Sequence, residues 1–522
     1  MKQTISMKTV VMAAILVLSV FTITPTVSTF RVKDSNGKLV GSKVVLSQKG
    51  IQYVVDTLRP YIDDLLLAMW FPEIDGSAKI PLIGNVTYHI DHLHVTETDL
   101  TSTTITLDEP DRIGVVIPTG YISFACNWSF KEIRWPHKTD SGLLTGSAEI
   151  GTFNLTTTVG TSDWGKPTVE RTSAGLTFSN VKATVSGSGS DSLYQGIINT
   201  ALPTIRKTIE TQVSTTLPPL IDQLGSEALS SVPIQENITF DIGFDYSFSD
   251  AIKVGPSGMI AALRGEVFAN IEGSGHTPGT PSALPNGETS QMIELYLSDW
   301  TLASISRALW RTSSFTKIHT LSDPKTASVK YLFTAEYYKT IAPWLPATYG
   351  DDAEVAIVSS AIVTPELQIG VNGFAAYTPT ELAFLVMDKS TKQYVLAFTA
   401  VSNVTYKGTL SVANSKLVGN VQLADHSAAA VETPLGSVDN AALGDAVRSA
   451  LELAAGHATT VLKKGIPIPG FIGIKLNDSE LRWGDNYVLI STDGTYTPPG
   501  NFVRACYEKK KMMLAKREKL NL

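Results

Sequence analysis

Ser47–Met69 reads SQKGIQYVVDTLRPYIDDLLLAM. Ile51, Val54, Val55, Leu58, Ile62, Leu65, Leu66 and Met69 recur at steps of three and four. That spacing predicts a helix with one apolar stripe and a polar face bearing Gln52, Asp56, Arg59 and Asp63. Ser47 is placed to cap it, and Pro60 is expected to kink it. At about 1.5 Å per residue the stripe runs on the order of 30 Å, so it must lie along an extended partner surface.

Working outward, the 522-residue chain is 43% hydrophobic and 17% charged, which suits two or three domains with large cores. Lys2 and Lys8 precede an apolar run from Val10 to about Ile23 and small residues around Thr26 and Ser28. This reads as a secretory signal peptide over residues 1–28; a signal anchor is the alternative. The net charge of −7 argues against a general nucleic-acid binder. Asn85, Asn127, Asn154, Asn237, Asn403 and Asn477 each stand two residues before Ser or Thr and are candidate glycosylation sites on a secreted chain.

After the first helix, alternating runs predict antiparallel strands with one buried face. Ile122, Phe124, Cys126, Trp128 and Phe130 point one way and Asn127 the other; Phe153, Leu155 and Val159 repeat this around Asn154. Ile238 to Phe248 gives the clearest alternation. A second long stripe passes through Ile197, Ile198, Ala201, Leu202, Ile205, Ile209 and Val213, with Pro203 and Pro218 expected to bend it. Residues 273–289 are rich in Gly, Pro and Ser and predict a linker. Beyond it Ser298 opens another helix, strands follow, and a long helix passes through Leu443, Val447, Leu451 and Leu462. The chain therefore reads as two copies of helix, strands, helix.

LSQKGIQYV, FPEIDGSAKIPLIG, GKPTVERTSAGLTFSNVKATVSG, MIELYLSDWTL and KKGIPIPGFIGIKLNDSELRW occur in that order. Together they resemble the family of bactericidal permeability-increasing protein, lipopolysaccharide-binding protein and cholesteryl ester transfer protein, over about Val32 to Tyr496. The resemblance implies an α+β boomerang of two pseudo-symmetric barrels. Each is a twisted antiparallel sheet wrapped on long amphipathic helices, and a central sheet joins them. The implied division is a first barrel over 29–272, the linker, a second barrel over 290–500 and a basic tail over 501–522. It also implies an apolar pocket for phospholipid acyl chains in each barrel, with no catalytic group or cofactor. Roughly 30 buried methylenes would release about 25 kcal/mol before ordering losses. Ile51, Val55, Leu58, Ile62, Leu66, Ile198, Leu202, Ile205 and Ile209 are the pocket candidates. Endotoxin-binding members of that family carry a disulfide where VERTSAG and TQVSTTL stand here without cysteine, so the first barrel must be held by packing.

By the same resemblance, FKEIRWPHKTDSG (Phe130–Gly142) corresponds to a basic hairpin tip. Phe130, Lys131, Arg134, Trp135, His137 and Lys138 are candidates for lipid head groups or lipopolysaccharide, with Lys43 and Lys49 expected near the same end. An ordinary solvated turn is the alternative. His89, His92 and His94 offer two same-face ligands but no third, so a metal is not expected. Cys126 is read as a buried thiol, with a bridge to Cys506 left open. The basic tail is either a membrane-surface helix or a solvated end. No nucleophile elbow, zinc-protease motif or phosphate loop occurs, and no enzyme is expected. The expected partner is phospholipid or lipopolysaccharide on a bacterial, lipoprotein or membrane surface, bound peripherally by a secreted defence protein. A carrier of endogenous lipids and an adhesive ectodomain are the alternatives.

Overall fold

The computed structural model describes residues 39–80, 84–135, 137–186, 191–230, 234–237, 241–271, 273, 275–287, 291–322, 330–414, 416–464, 466–467, 474–497 and 500–519. The expected signal peptide lies outside them, as do the side chains of Leu58 and Ile62.

Strand β1 (Ser42–Ser47) is buried along its whole length. Ser47 then turns the chain into α1 (Gln48–Ala68), its hydroxyl accepting from the Gly50 amide at 3.2 Å. This cap satisfies an amide that the first helical turn would leave unpaired. Ile51, Val54, Val55, Leu65, Leu66 and Met69 are buried, as the stripe predicts. The polar face is partly engaged: Gln52 donates to the Thr103 carbonyl at 3.0 Å, and Asp63 accepts from the Thr98 hydroxyl at 2.8 Å.

A meander follows, β2 (Ile74–Ile80), β3 (Gly84–Asp108), β4 (Arg112–Glu132), β5 (Thr139–Thr161) and β6 (Pro167–Ser186), paired antiparallel in that order. At about 3.3 Å per residue β4 approaches 70 Å, too long for a flat sheet. Register shifts along β3 between Asp91 and Thr104 bend it, as extra unpaired residues do. The sheet curls around α2 (Asp191–Ser230) and α1.

One line of buried residues on α2 recurs every fourth position, at Ile197, Ala201, Ile205, Ile209, Val213, Leu217 and Ile221. Each four-residue step overshoots a full turn by about 40°, so on a straight helix this line winds about 240° around the axis. Such a line suits an enclosing curled sheet better than a flat one. Near the stretches where endotoxin-binding family members carry a disulfide and this chain has no cysteine, Glu210 of α2 accepts from the Phe178 amide of β6 at 2.8 Å and pairs with Arg206 at 2.9 Å.

Next come β7 (Gln235–Asn237), β8 (Ile242–Asp245), β9 (Lys253–Gly255), β10 (Gly258–Leu263) and β11 (Glu266–Ala269). Here an expectation fails. Residues 238–240 lie outside the described residues, but Asn237 and Gly243, expected on one strand, lie opposite each other on two: Gln235–Asn237 folds back antiparallel on β8, with Gln235 opposite Asp245. Alternation records which face each residue presents and is blind to a reversal of direction.

The second half opens with β12 (Ile293–Ser298) and α3 (Asp299–Arg311), capped by the Ser298 hydroxyl on the Thr301 amide at 3.2 Å. Then come β13 (Lys317–His319), a 3₁₀ turn at Ala335–Lys339, α4 (Trp344–Tyr349), β14 (Val355–Ala361), β15 (Glu366–Gly370) and β16 (Gly373–Asp388). β17 (Gln393–Ala413), β18 (Lys416–His426), β19 (Ala429–Glu432) and α5 (Asn440–Lys464) continue it. β20 (Ile466–Pro467), β21 (Ile474–Gly484), β22 (Tyr487–Tyr496) and α6 (Gly500–Lys519) end it. An eight-stranded antiparallel sheet built on β14, β16, β17 and β18 curls around a second core. Phe384 and Phe398 stack there with ring centroids 4.4 Å apart.

The halves meet in a six-stranded sheet ordered β21-β22-β12-β1-β10-β9, three strands from each half. Its centre is reciprocal: the Ser47 amide donates to the Met292 carbonyl and the Ser298 amide to the Gly41 carbonyl, each at 2.9 Å. Two helix-capping serines thus close the two ends of one antiparallel pair. This is the pseudo-symmetry implied by the repeated sequence pattern.

Candidate functional site

The pocket candidates converge. Ile51, Val55 and Leu66 of α1 and Ile198, Ile205 and Ile209 of α2 are at most 2% exposed, and Leu202 packs partly buried against the same core. Facing them are long strand faces carrying Phe124, Trp128, Phe153 and Phe178. At the end of the barrel distant from the central sheet, Trp128 and Phe130 lie parallel with centroids 6.0 Å apart, and Tyr194 leans on both. The Trp128 indole N–H is buried and has no hydrogen-bond partner among the described residues. Tyr194 donates to Asp140, and this bond, with the Ser141 amide, holds the Asp140 carboxyl below its ordinary range.

The β4–β5 turn closes that same end. The turn between β3 and β4 abuts the central sheet, since the Val254 amide of β9 donates to the Pro110 carbonyl at 2.7 Å. One strand length away, His137 donates its amide to the Arg134 carbonyl at 2.8 Å, and Ile133 donates to the Asn85 carbonyl at 3.0 Å. His137 has a φ of 56°, a strained value held by these bonds. The loop is therefore braced. It presents Trp135 at 86% exposure and Ile133 at 51%, beside exposed Lys131, Arg134, His137 and Lys138. Lys79, opposite Asn85 in the β2–β3 hairpin, adds an exposed cation near this end. Sequence reasoning passed over Lys79 and Ile133, because strand register, not sequence distance, brings Lys79 to this end of the barrel.

Three candidates belong elsewhere. Phe130 is 7% exposed and stacked inside the barrel, since the strand alternation that faces Trp128 inward faces Phe130 inward too. Lys43 and Lys49 sit at the central end. Lys43, on buried β1, donates to the Leu284 and Pro285 carbonyls at 2.8 and 2.7 Å, and burial, then the Lys253 charge, lowers its pKa. Lys49 pairs with Asp493 at 2.8 Å. The cause is the recruitment of β1 into the shared sheet.

Cys126 is a free, buried thiol, pushed up to about 12 by desolvation and then the Asp91 charge. The bridge to Cys506 is not made. The histidines pair locally, His89 with Asp75 at 2.8 Å and His92 with Asp91 at 2.6 Å. No cluster of three potential metal ligands occurs among the described residues. A register shift between Asp91 and His94 puts His92 at a φ of 56°, displacing the regular alternation that predicted a shared face. Asn85, Asn127, Asn154, Asn237 and Asn403 are exposed; Asn477 is half-buried and donates to Thr495 at 2.7 Å. No described helix is long and apolar enough to cross a membrane.

Residues 50–232 match the N-terminal domain of the LBP / BPI / CETP family, and residues 237–496 match its C-terminal domain. The bactericidal permeability-increasing protein of Sebastes schlegelii is 21% identical over 88% of this chain and 95% of its own. A putative BPI/LBP family protein of Arabidopsis thaliana is 21% identical over 87% and 92%. The lipopolysaccharide-binding protein of Rattus norvegicus is 20% identical over 87% and 93%. A crystal structure of lipopolysaccharide binding protein superposes with a TM-score of 0.53 at 16% identity, covering 88% of this chain and all of that one.

Proposed function

Since the chain belongs to the LBP / BPI / CETP family, we propose that it is a secreted, non-enzymatic lipid-binding protein. It takes acyl chains into the apolar interior of its barrels and meets lipopolysaccharide or phospholipid head groups through the β4–β5 turn. The carrying observation is Trp135, 86% exposed in a braced turn beside Lys131, Arg134 and Lys138. An aromatic ring enters the head-group boundary while cations meet phosphates. The buried stripe of α1 and α2 and the Trp128 indole N–H, a donor suited to an ester carbonyl and without a partner among the described residues, support it from within.

Native mass spectrometry of the purified secreted protein, with organic extraction, tests the first half. Bound phospholipid supports the reading; a chain that is empty and cannot be loaded sinks it. Lipopolysaccharide affinity compared between the wild type and a Lys131, Arg134 and Lys138 triple alanine variant tests the second half, and unchanged affinity would move the site away from the turn. The net charge of −7 favours a second reading, a carrier of endogenous lipids. It would show as endogenous phospholipid in the extract with no lipopolysaccharide binding.

A further inference from the structure

The central sheet has a second face. Val44 and Leu46 of β1 join the first core, so Lys43 and Val45 point the other way. There Val45, Tyr296 and Leu489 form a small core, and Leu284 of the Gly- and Pro-rich segment packs against it. Beside that core a cavity of about 390 Å³ opens between β1, β10, residues 250–253 and residues 280–286. Leu39, Val40, Ile260, Ala262, Ala283 and Leu284 supply its apolar wall, and its charged lining residues are Lys43, Asp250 and Lys253. The volume and the mostly apolar wall with a few polar groups are those of a small-molecule site. It lies across the sheet from the first core.

The charges around this cavity do not balance. Lys253 reaches Asp250 at 3.4 Å, which leaves Lys43. Lys43 is only 9% exposed, and its ammonium donates to neutral oxygens: the Leu284 and Pro285 carbonyls at 2.8 and 2.7 Å and the Asn286 side-chain oxygen at 3.4 Å. Among the described residues no carboxylate pairs with it. Glu294, the buried carboxylate on the same sheet face, accepts from the Tyr296 hydroxyl at 3.0 Å. A buried cation without an opposite charge is unfavourable even when its hydrogen bonds are made. Burial first, and then the Lys253 charge, lowers the Lys43 pKa, so the site disfavours its own ammonium. An anion placed in the cavity would act in the opposite sense.

We propose that this cavity binds a small amphiphilic carboxylate, with its anionic end toward Lys43 and Lys253 and its hydrocarbon tail along Ile260, Ala262 and Leu284. The site is separate from the barrel interiors. Its ligand differs from the lipid proposed for them in having one short chain and a free acid group.

The full chain would be titrated calorimetrically with octanoate and with octanol, which has the same tail and no charge. Octanoate should bind roughly tenfold tighter or more. Octanoate carrying a diazirine on its tail should, on irradiation, label peptides containing residues 39–43, 250–262 or 280–286. Ala262→Leu narrows the cavity and leaves every charge in place; it should abolish this labelling and weaken octanoate binding roughly tenfold. Lys43→Met should remove the preference for octanoate over octanol. Because Lys43 also holds residues 284–286, Lys253→Gln supplies an independent arm at a side chain 67% exposed. It should weaken octanoate roughly twofold to fivefold and leave octanol unchanged. No octanoate binding, equal affinity for octanoate and octanol, or octanoate binding unchanged in Ala262→Leu overturns the proposal. Labelling confined to the strands and helices of the first barrel also overturns it, while supporting lipid binding there.

Discussion

Lys49 and Asp493, 444 positions apart, meet at 2.8 Å and tie the start of α1 to the last strand of the central sheet. The same carboxylate accepts from the Met292 amide at 2.9 Å, so one side chain joins both halves. Burial works to raise the Asp493 pKa, but the Lys49 ammonium and the Met292 amide together hold it below its ordinary 3.8. A depressed folded value means that the contribution is present above that pH and lost as pH falls through the folded value. Asp493→Asn should lower stability by about 1 kcal/mol at pH 7. The gap from wild type should close below pH 3.8, read from denaturant midpoints across pH.

Glu266, 1% exposed, accepts from Arg264 at 2.9 Å, from His276 at 2.9 Å and from the Thr277 amide at 2.6 Å. It pins the start of the Gly- and Pro-rich segment to β10 and β11. Glu266→Ala removes a buried carboxylate partner from Arg264 and should cost about 3–5 kcal/mol. Limited proteolysis should then cut within residues 278–287 faster than in the wild type.

Trp135 makes so little protein contact that Trp135→Ala should leave stability within about 0.5 kcal/mol of wild type. Binding to anionic vesicles should nonetheless fall roughly fivefold to tenfold, about 1 kcal/mol or slightly more. Co-sedimentation beside thermal unfolding separates the two effects, and parallel losses in both would assign Trp135 to the fold.

The Cys126 thiol, buried and pushed up to about 12, is almost wholly protonated at neutral pH. In a Cys506→Ser background a maleimide should leave the native protein unlabelled over hours. It should add one equivalent in denaturant, counted by intact mass. Labelling of the native form would place Cys126 in an open channel.

Ile205 is fully buried on α2 among side chains of the first core. Ile205→Ala should cost about 2–5 kcal/mol in chemical denaturation. A bound acyl chain that fills the gap would restore part of it, so the deficit should be smaller for lipid-loaded protein.

Much of this was readable from the chain. Ser47 as cap, the α1 stripe, the inward Cys126 and outward Asn127, and the second helix opened by Ser298 all follow from local rules: helical and strand periodicities and the demand of a first-turn amide for an acceptor. The readings that failed concern partners. Lys43 and Lys49 looked like free cations because a sequence does not say that β1 lies at the middle of a sheet shared with β12 and β22. Phe130 belongs to the basic turn motif by sequence, although its own alternation places it inside.

By itself, then, the sequence determined the inventory: apolar faces of the right period, helix starts, a basic tail, an acidic remainder and the order of motifs that marks the family. These are properties of neighbours within a few residues, where backbone geometry acts directly. Only the tertiary structure decided that the start of α1 meets the last strand at Lys49 and Asp493, that Lys79 lies with Trp135 near the barrel's far end, and that α6 reaches back to Asp64. Each brings together residues tens to hundreds of positions apart, through strand register and sheet curl. Local periodicity carries no term for either.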